Sequence, residues 1–164
     1  MVPAEIILRE WTADDADWYV RQIADPDIRR FTTEPPTLTA EQFLEALDRL
    51  NGTDDELGFV AVDAVSGERL ANLAALRNGG TAVVSYWVTA EARGRGVATA
   101  GLRELCDRAL AHWPISELRL YTHADNLGSQ RVAEKAGFRP LADMPTVREV
   151  YGVKWPVRWF ERTR

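Results

Sequence analysis

In the stretch WVTAEARGRGVATAGLREL, Trp87 to Leu105, two arginines alternate with two glycines at Arg93-Gly94-Arg95-Gly96, just before a segment with helical apolar spacing. Glycines ahead of a helix let backbone N–H groups converge at the positive end of its dipole, and the arginines add charge. The chemistry this permits is the holding of an anion, most often a phosphate. Further along, HADNLGSQRVAEKAGF holds a second polar set, His123, Asn126 and Ser129. Asn126 stands where a helix N-cap is expected, and Ser129 falls one turn inside that helix.

Several phosphate motifs compete for the glycine turn. A Walker-type loop needs Lys-Ser/Thr after its last glycine, and Gly96 is followed by Val97-Ala98, so that reading fails. A dinucleotide fingerprint would run from Gly94 through Gly96 to Thr99, with Thr where Gly or Ala belongs. It also needs a single parallel strand before the turn and a carboxylate closing the next strand, for which Asp125 comes late. A basic strand-to-helix connection with no ligand is the plain alternative.

The elements that must position these residues follow from period and punctuation. EIILREW reads as a first strand. Thr12 with Asp15, and Thr39 with Gln42, are capping-box pairs that begin two helices. Between them DPDIRRFTTEPP reads as turn-rich. LGFVAVD, RLANLAAL and TAVVSYWV alternate at strand period and are separated by SGE and NGG, which predicts an antiparallel meander. A helix then runs from the glycine turn toward Pro114, LRLYTH is a strand, a further helix stops at Gly137, and REVYGVKWPVRWFE is a strand pair with Pro156 at an edge or break. The order is β-α-α-β-β-β-α-β-α-β, a mixed α/β fold.

With 164 residues and 46% hydrophobic content, the chain reads as one domain spanning residues 1–164. Its longest apolar runs fall well short of a membrane span, and the start lacks a leader's basic and apolar regions, so a cytoplasmic protein is expected. The net charge of −5 argues against nucleic-acid partners. One cysteine, Cys106, and two histidines supply neither a disulfide nor a spaced metal set, so no metal is expected. Cys106 lies mid-helix among Leu102, Leu105 and Ala109 and reads as a buried apolar residue.

The two motifs together carry a resemblance. Arg93 to Ala98 fits the Arg/Gln-x-x-Gly-x-Gly/Ala motif of the GNAT superfamily of N-acetyltransferases. Asn126 to Phe138 resembles the Asn-x-x-Ser…Glu-Lys-x-Gly-Phe signature of its ribosomal-protein-acetyltransferase-like (RimJ/RimL-type) branch. The resemblance implies a mostly antiparallel sheet of six to seven strands, splayed between the fourth and fifth, with about four flanking helices. It implies acetyl-CoA as cofactor. The backbone of Tyr86, Trp87 and Val88 would pair with the pantetheine arm, the turn from Arg93 through Arg95 and Val97 to Thr99 would hold the pyrophosphate, and Asn126 would bond the pantetheine.

The implied reaction is acetyl transfer to a primary amine, a protein N-terminus or a small molecule, in a ternary complex. It needs an oxyanion donor and a proton for the leaving thiolate. The resemblance nominates the Val88 amide and the Ser129 hydroxyl for these roles. The chain departs from relatives that carry a Tyr acid and a Glu base, with Ala133 and Tyr121 at those positions; Tyr121 or His123 through a water is the candidate base. Phe31, Glu34 and Trp159 are the candidate acceptor contacts, and an acidic Glu34 suits a cationic amine. A non-catalytic acyl-CoA-binding module and an enzyme for a longer acyl-CoA are the rival readings. Monomer and homodimer both fit, the Trp-rich tail offering a dimer surface.

Overall fold

The strand-period segments pair as their turns dictate. In the computed structural model, which describes residues 4–35 and 37–164, β1 (Ile6–Glu10) pairs antiparallel with β2 (Glu56–Asp63), which continues into β3 (Arg69–Asn78) and β4 (Thr81–Val88) as an antiparallel meander. Asn78 lies opposite Thr81 across the Gly79-Gly80 turn, where Gly79 has φ +63°. The first three residues of the segment read for a leader, and Pro36 of the turn-rich stretch, lie outside the described residues.

Both capping boxes form, at Thr12 with Asp15 and Thr39 with Gln42. They precede α1 (Ala16–Ile23), entered through a short 3-10 turn, and α3 (Ala40–Asn51). The stretch read as turn-rich holds a further helix, α2 (Pro26–Phe31). Its cause is local: Pro26 occupies the first helical position, where a missing N–H costs nothing, and the Asp25 carboxylate accepts from the Asp27 amide at 2.9 Å. After the glycine turn come α4 (Val97–His112), β5 (Glu117–His123) and α5 (Leu127–Lys135), the last followed by Gly137 at φ +92°.

The chain closes with β6 (Arg139–Pro140), β7 (Val147–Val150) and β8 (Val153–Thr163). The sheet order is β1-β2-β3-β4-β5-β8-β6, with β7 paired to β8. Among the described residues this makes eight strands and five α-helices, more than expected because α2 adds a helix, β6 is a two-residue contact and β7 is a ribbon beyond the main sheet. Pro156 stands where β8 leaves β7 and takes up β5, a point at which its missing N–H interrupts neither ladder.

Strand alternation sends side chains to two layers. Leu70, Leu73, Leu118 and Phe160 pack with Leu102 and Leu105 of α4. Val60, Val62 and Trp87 pack on the other face with Tyr19 of α1 and Phe43 of α3. Cys106 is fully buried in the first layer, and burial pushes its thiol up to about 12, so it behaves as a small apolar residue. Trp155 and Trp159 of the tail are buried in a third cluster under Tyr121, while Val147, Tyr151 and Val153 are the exposed apolar residues of that ribbon. Among the described residues, no helix is long and apolar enough to cross a membrane.

One feature of the sheet makes the site. β4 and β5 are the only parallel neighbours among the described strands, joined through α4, and they pair only from Thr81↔Glu117 to Val83↔Arg119. Beyond Val83 the two strands separate, and the β5-facing edge of Val84 to Val88 has no strand partner.

Candidate active site

The separation opens a cleft of about 670 Å³ that runs from α2 across the sheet to α5. Tyr86, Trp87 and Val88 border it from β4, and Tyr121 and His123 from β5. An unpaired strand edge inside a cleft offers N–H and C=O groups to an extended ligand, as a sheet edge does to an added strand.

At one end lies the glycine turn. Gly94 and Gly96 have φ +74° and +77°, the left-handed region that favours glycine, and Gly96 N-caps α4. A Cβ built on either would meet nothing within 4 Å, so the space above the turn is open to a ligand. Val97, Ala98 and Thr99 line the cleft and belong to the first turn of α4, whose amides have no intrahelical acceptor. The arginines behave differently from expectation. Arg93 faces Asp25 at 3.3 Å and Asp27 at 3.5 Å, while Arg95 faces Asp63 at 3.5 Å and does not line the cleft. The turn's capacity for an anion therefore rests on amides and the dipole of α4.

On the α5 side, the Asn126 side chain accepts from the Ser129 amide at 3.1 Å, so it is a helix cap that also borders the cleft. The Ser129 hydroxyl lies 2.6 Å from that of Tyr86, a bond that spans from β4 to α5 beyond the strand separation. Burial raises the Tyr86 phenol, Ser129 offsets this in part, and the net value is about 12. Tyr86 is therefore protonated at neutral pH, and either hydroxyl can donate in the bond between them. The sequence reading assigned only the backbone of Tyr86 to the site; the alternation that buries Trp87 on one face already sends Tyr86 to the other, toward α5.

His123 packs against Phe31 at 5.2 Å and Trp155 at 5.4 Å. Its Nδ1 accepts from the Asp125 amide at 3.0 Å, so the proton of the neutral ring sits on Nε2. That tautomer makes Nε2 a donor, which suits a base poorly. Tyr121 borders the cleft but is backed by Trp159 at 5.1 Å and overlaid by the Arg148 guanidinium at 4.4 Å.

Glu34 is not a solvated loop residue. It is half-buried, borders the cleft, and accepts hydrogen bonds from the Tyr19 hydroxyl and, at 3.1 Å, from Trp87 Nε1. Burial and the Glu34 charge hold the Tyr19 phenol well above its ordinary value, so both partners are neutral donors. Among the described residues no Lys or Arg pairs with this carboxylate. Beside it the Tyr151 hydroxyl donates to the Thr33 carbonyl at 2.8 Å, tying the β7–β8 turn to the same segment. Of the three expected acceptor contacts, Phe31 and Glu34 border the cleft. Trp159 does not: it stands behind Tyr121 with Nε1 donating to the Pro145 carbonyl at 3.1 Å, and Trp155 takes the place at the cleft wall.

An extended chain ending in a pyrophosphate fits this geometry, with the free β4 edge for the chain and the open glycine cradle for the phosphates. The comparisons agree. Residues 5–139 match the family model described as the acetyltransferase (GNAT) domain. The fold is similar to that of spermidine N-acetyltransferase from Vibrio cholerae, solved with CoA and spermine, at TM-score 0.84 and 16% identity over 96% of this chain and 95% of that one. Mycobacterium smegmatis RimJ with CoA-disulfide gives TM-score 0.84 and 21% identity over 96% and 81%. The Microcin C7 self-immunity acetyltransferase MccE with acetyl-CoA and AMP gives 0.83 and 16% over 98% and 93%. No curated protein matches the sequence. A family match over most of the chain, on a sheet split between its fourth and fifth strands, places this protein in the GNAT acetyltransferase family, transferases whose acyl donor is acetyl-CoA.

Proposed function

We propose that the protein acetylates a primary amine, and that the observation carrying this reading is Glu34: a half-buried carboxylate on the cleft wall with neutral donors and no cation of its own. An uncompensated anion in such a setting calls for a positive partner, and an acceptor ammonium between Phe31, His123 and Trp155 supplies it. The Asn126–Ser129 pair supports placement in the RimJ/RimL-type branch, where the sequence signature also points.

Acetyl-CoA brings a thioester whose acetyl carbon accepts the amine as the thiolate departs. The chain's residues then divide the work. Amides of Val97 to Thr99 hold the pyrophosphate, and the free edge of β4 holds the pantetheine. The Val88 N–H faces the developing oxyanion. The bound ammonium would first lose a proton to solvent to become the nucleophile. Ser129 would then give its Oγ proton to the departing sulfur and regain one from the nitrogen of the tetrahedral adduct, so that the serine ends as it began. The 2.6 Å contact between the Tyr86 and Ser129 hydroxyls can run in either direction; in the direction that serves the reaction Tyr86 donates to Ser129 Oγ, and the serine's own proton is free for transfer to the sulfur.

Two measurements test this. Glu34→Gln keeps the shape and an oxygen for Tyr19 and Trp87 but removes the charge. Across a panel of amines, from diamines to N-terminal dipeptides, it is expected to raise the acceptor KM about 10- to 100-fold and leave the acetyl-CoA KM unchanged. An unchanged acceptor KM for every turned-over amine would refute the role. Tyr86→Phe is expected to lower kcat about tenfold with acetyl-CoA Kd within about twofold, and Ser129→Ala to lower it at least as much. Because the two hydroxyls act as one unit, the double variant should lose little more than Ser129→Ala alone; additive losses would separate them.

A further inference from the structure

Charge is unevenly matched along the cleft. Both arginines of the glycine turn already face carboxylates, Arg93 toward Asp25 and Asp27, Arg95 toward Asp63. Lys135, the last residue of α5, also lines the cleft, at the end where α4 and α5 meet. Beside it Arg103 of α4 donates from Nε to the Lys135 carbonyl at 3.2 Å. The carboxylates of α4 near Arg103 are taken, Glu104 by Arg108 at 2.6 Å and Asp107 by Arg162 at 3.1 Å, while the exposed Glu134 beside Lys135 is in no ion pair among the described residues. Among the described residues neither Lys135 nor Arg103 is in an ion pair. The two also line a smaller cavity of about 290 Å³, together with Arg162.

Acetyl-CoA carries charge in two places, the pyrophosphate and the 3′-phosphate of its ribose. Amides at Val97 to Thr99 suit the first. A helix rises ~1.5 Å per residue, so Arg103 lies about 6 Å beyond Thr99 along α4, roughly the span of one ribose. We propose that Lys135, with Arg103 beside it, binds the 3′-phosphate and makes the protein prefer CoA to 3′-dephospho-CoA, while Arg93 and Arg95 brace the turn through their carboxylates. This rests on the reading of the cleft as the acetyl-CoA site. A phosphate dianion meeting an unpaired ammonium forms charge-assisted hydrogen bonds, whereas the paired arginines would have to abandon existing partners.

Titration calorimetry with CoA and 3′-dephospho-CoA tests it. The wild-type protein is expected to bind CoA about tenfold more tightly, and more salt should narrow the ratio. Lys135→Gln should bring the ratio near unity while leaving the dephospho-CoA affinity unchanged, which also shows that the variant is folded. Arg95→Gln should keep the ratio. Equal binding of both ligands by the wild-type protein, or a ratio that survives in Lys135→Gln, would overturn the proposal. Binding of neither ligand would overturn the cofactor site itself.

Discussion

Gly96→Val is expected to weaken acetyl-CoA binding at least about 100-fold while the protein still folds. Gly96 caps α4 at φ +77°, a conformation costing a residue with a Cβ about 1–2 kcal/mol, and more when β-branched. The new Cβ would stand in open space, since nothing beyond the chain neighbours lies within 4 Å of its position. That space lies over the first-turn amides, where the pyrophosphate is proposed to sit. Strain and obstruction thus act together on the ligand, and only strain acts on the fold. Calorimetry with acetyl-CoA, beside thermal unfolding without it, separates the two. Gly96→Ala, with one methyl, should fall between. Retention of near wild-type affinity in Gly96→Val, in a protein with a lowered Tm, would show that the phosphates lie elsewhere.

Much of the fold is legible in the sequence because its signals are local. The NGG and SGE turns, the alternation of β2 to β4 and the two capping boxes each involve residues close in the chain, and the structure builds them as read. Helix α2 escaped because one Asp-Pro start is a weak signal among so many turn residues, though its cap is as local as the others. The sheet split follows from topology: a parallel β5 reached through α4 can pair with β4 at one end and leave the other free.

The site is less legible, since its chemistry depends on partners distant in sequence. Arg93 and Arg95 look like free charge until α2 and the end of β2 bring Asp25, Asp27 and Asp63 to them. Glu34 looks like a loop carboxylate until Tyr19 and Trp87 close on it. Tyr86 and Ser129 are separated by the whole β4-α4-β5 crossover, and only the fold shows the bond between them. His123, read from the sequence as a candidate base, lines the cleft, yet its tautomer is set by the amide of Asp125, two residues on, which makes Nε2 a donor. A motif reports which backbone a ligand approaches. Which side chains remain free to meet it depends on tertiary pairing.

The same pairing rule makes Asp15 a polar residue whose loss should cost the fold heavily. Its side chain is wholly buried, accepts from Arg9 through both oxygens at 2.8 and 2.9 Å, from Arg69 Nε at 2.6 Å and from the Thr12 amide at 2.9 Å. One carboxylate thus joins β1, β3 and the start of α1. Removing one partner of such a buried set leaves the others unsatisfied, and Asp15→Ala is expected to cost about 3–5 kcal/mol, or roughly 10 °C in Tm for a chain of this size. Burial alone would raise the carboxyl, but the hydrogen bonds from Arg9, Thr12 and Arg69 outweigh it and hold Asp15 well below the usual carboxylate range. A group depressed in the folded state stabilises the protein above its unfolded value, about pH 4, and that contribution is lost as pH falls toward the folded value. Denaturant titrations of wild type and Asp15→Asn from pH 7 to 3 should therefore show a gap that is constant above about pH 5 and narrows below pH 4. A gap that stays constant across the whole range would mean that the ionised form of Asp15 does not carry the stabilisation.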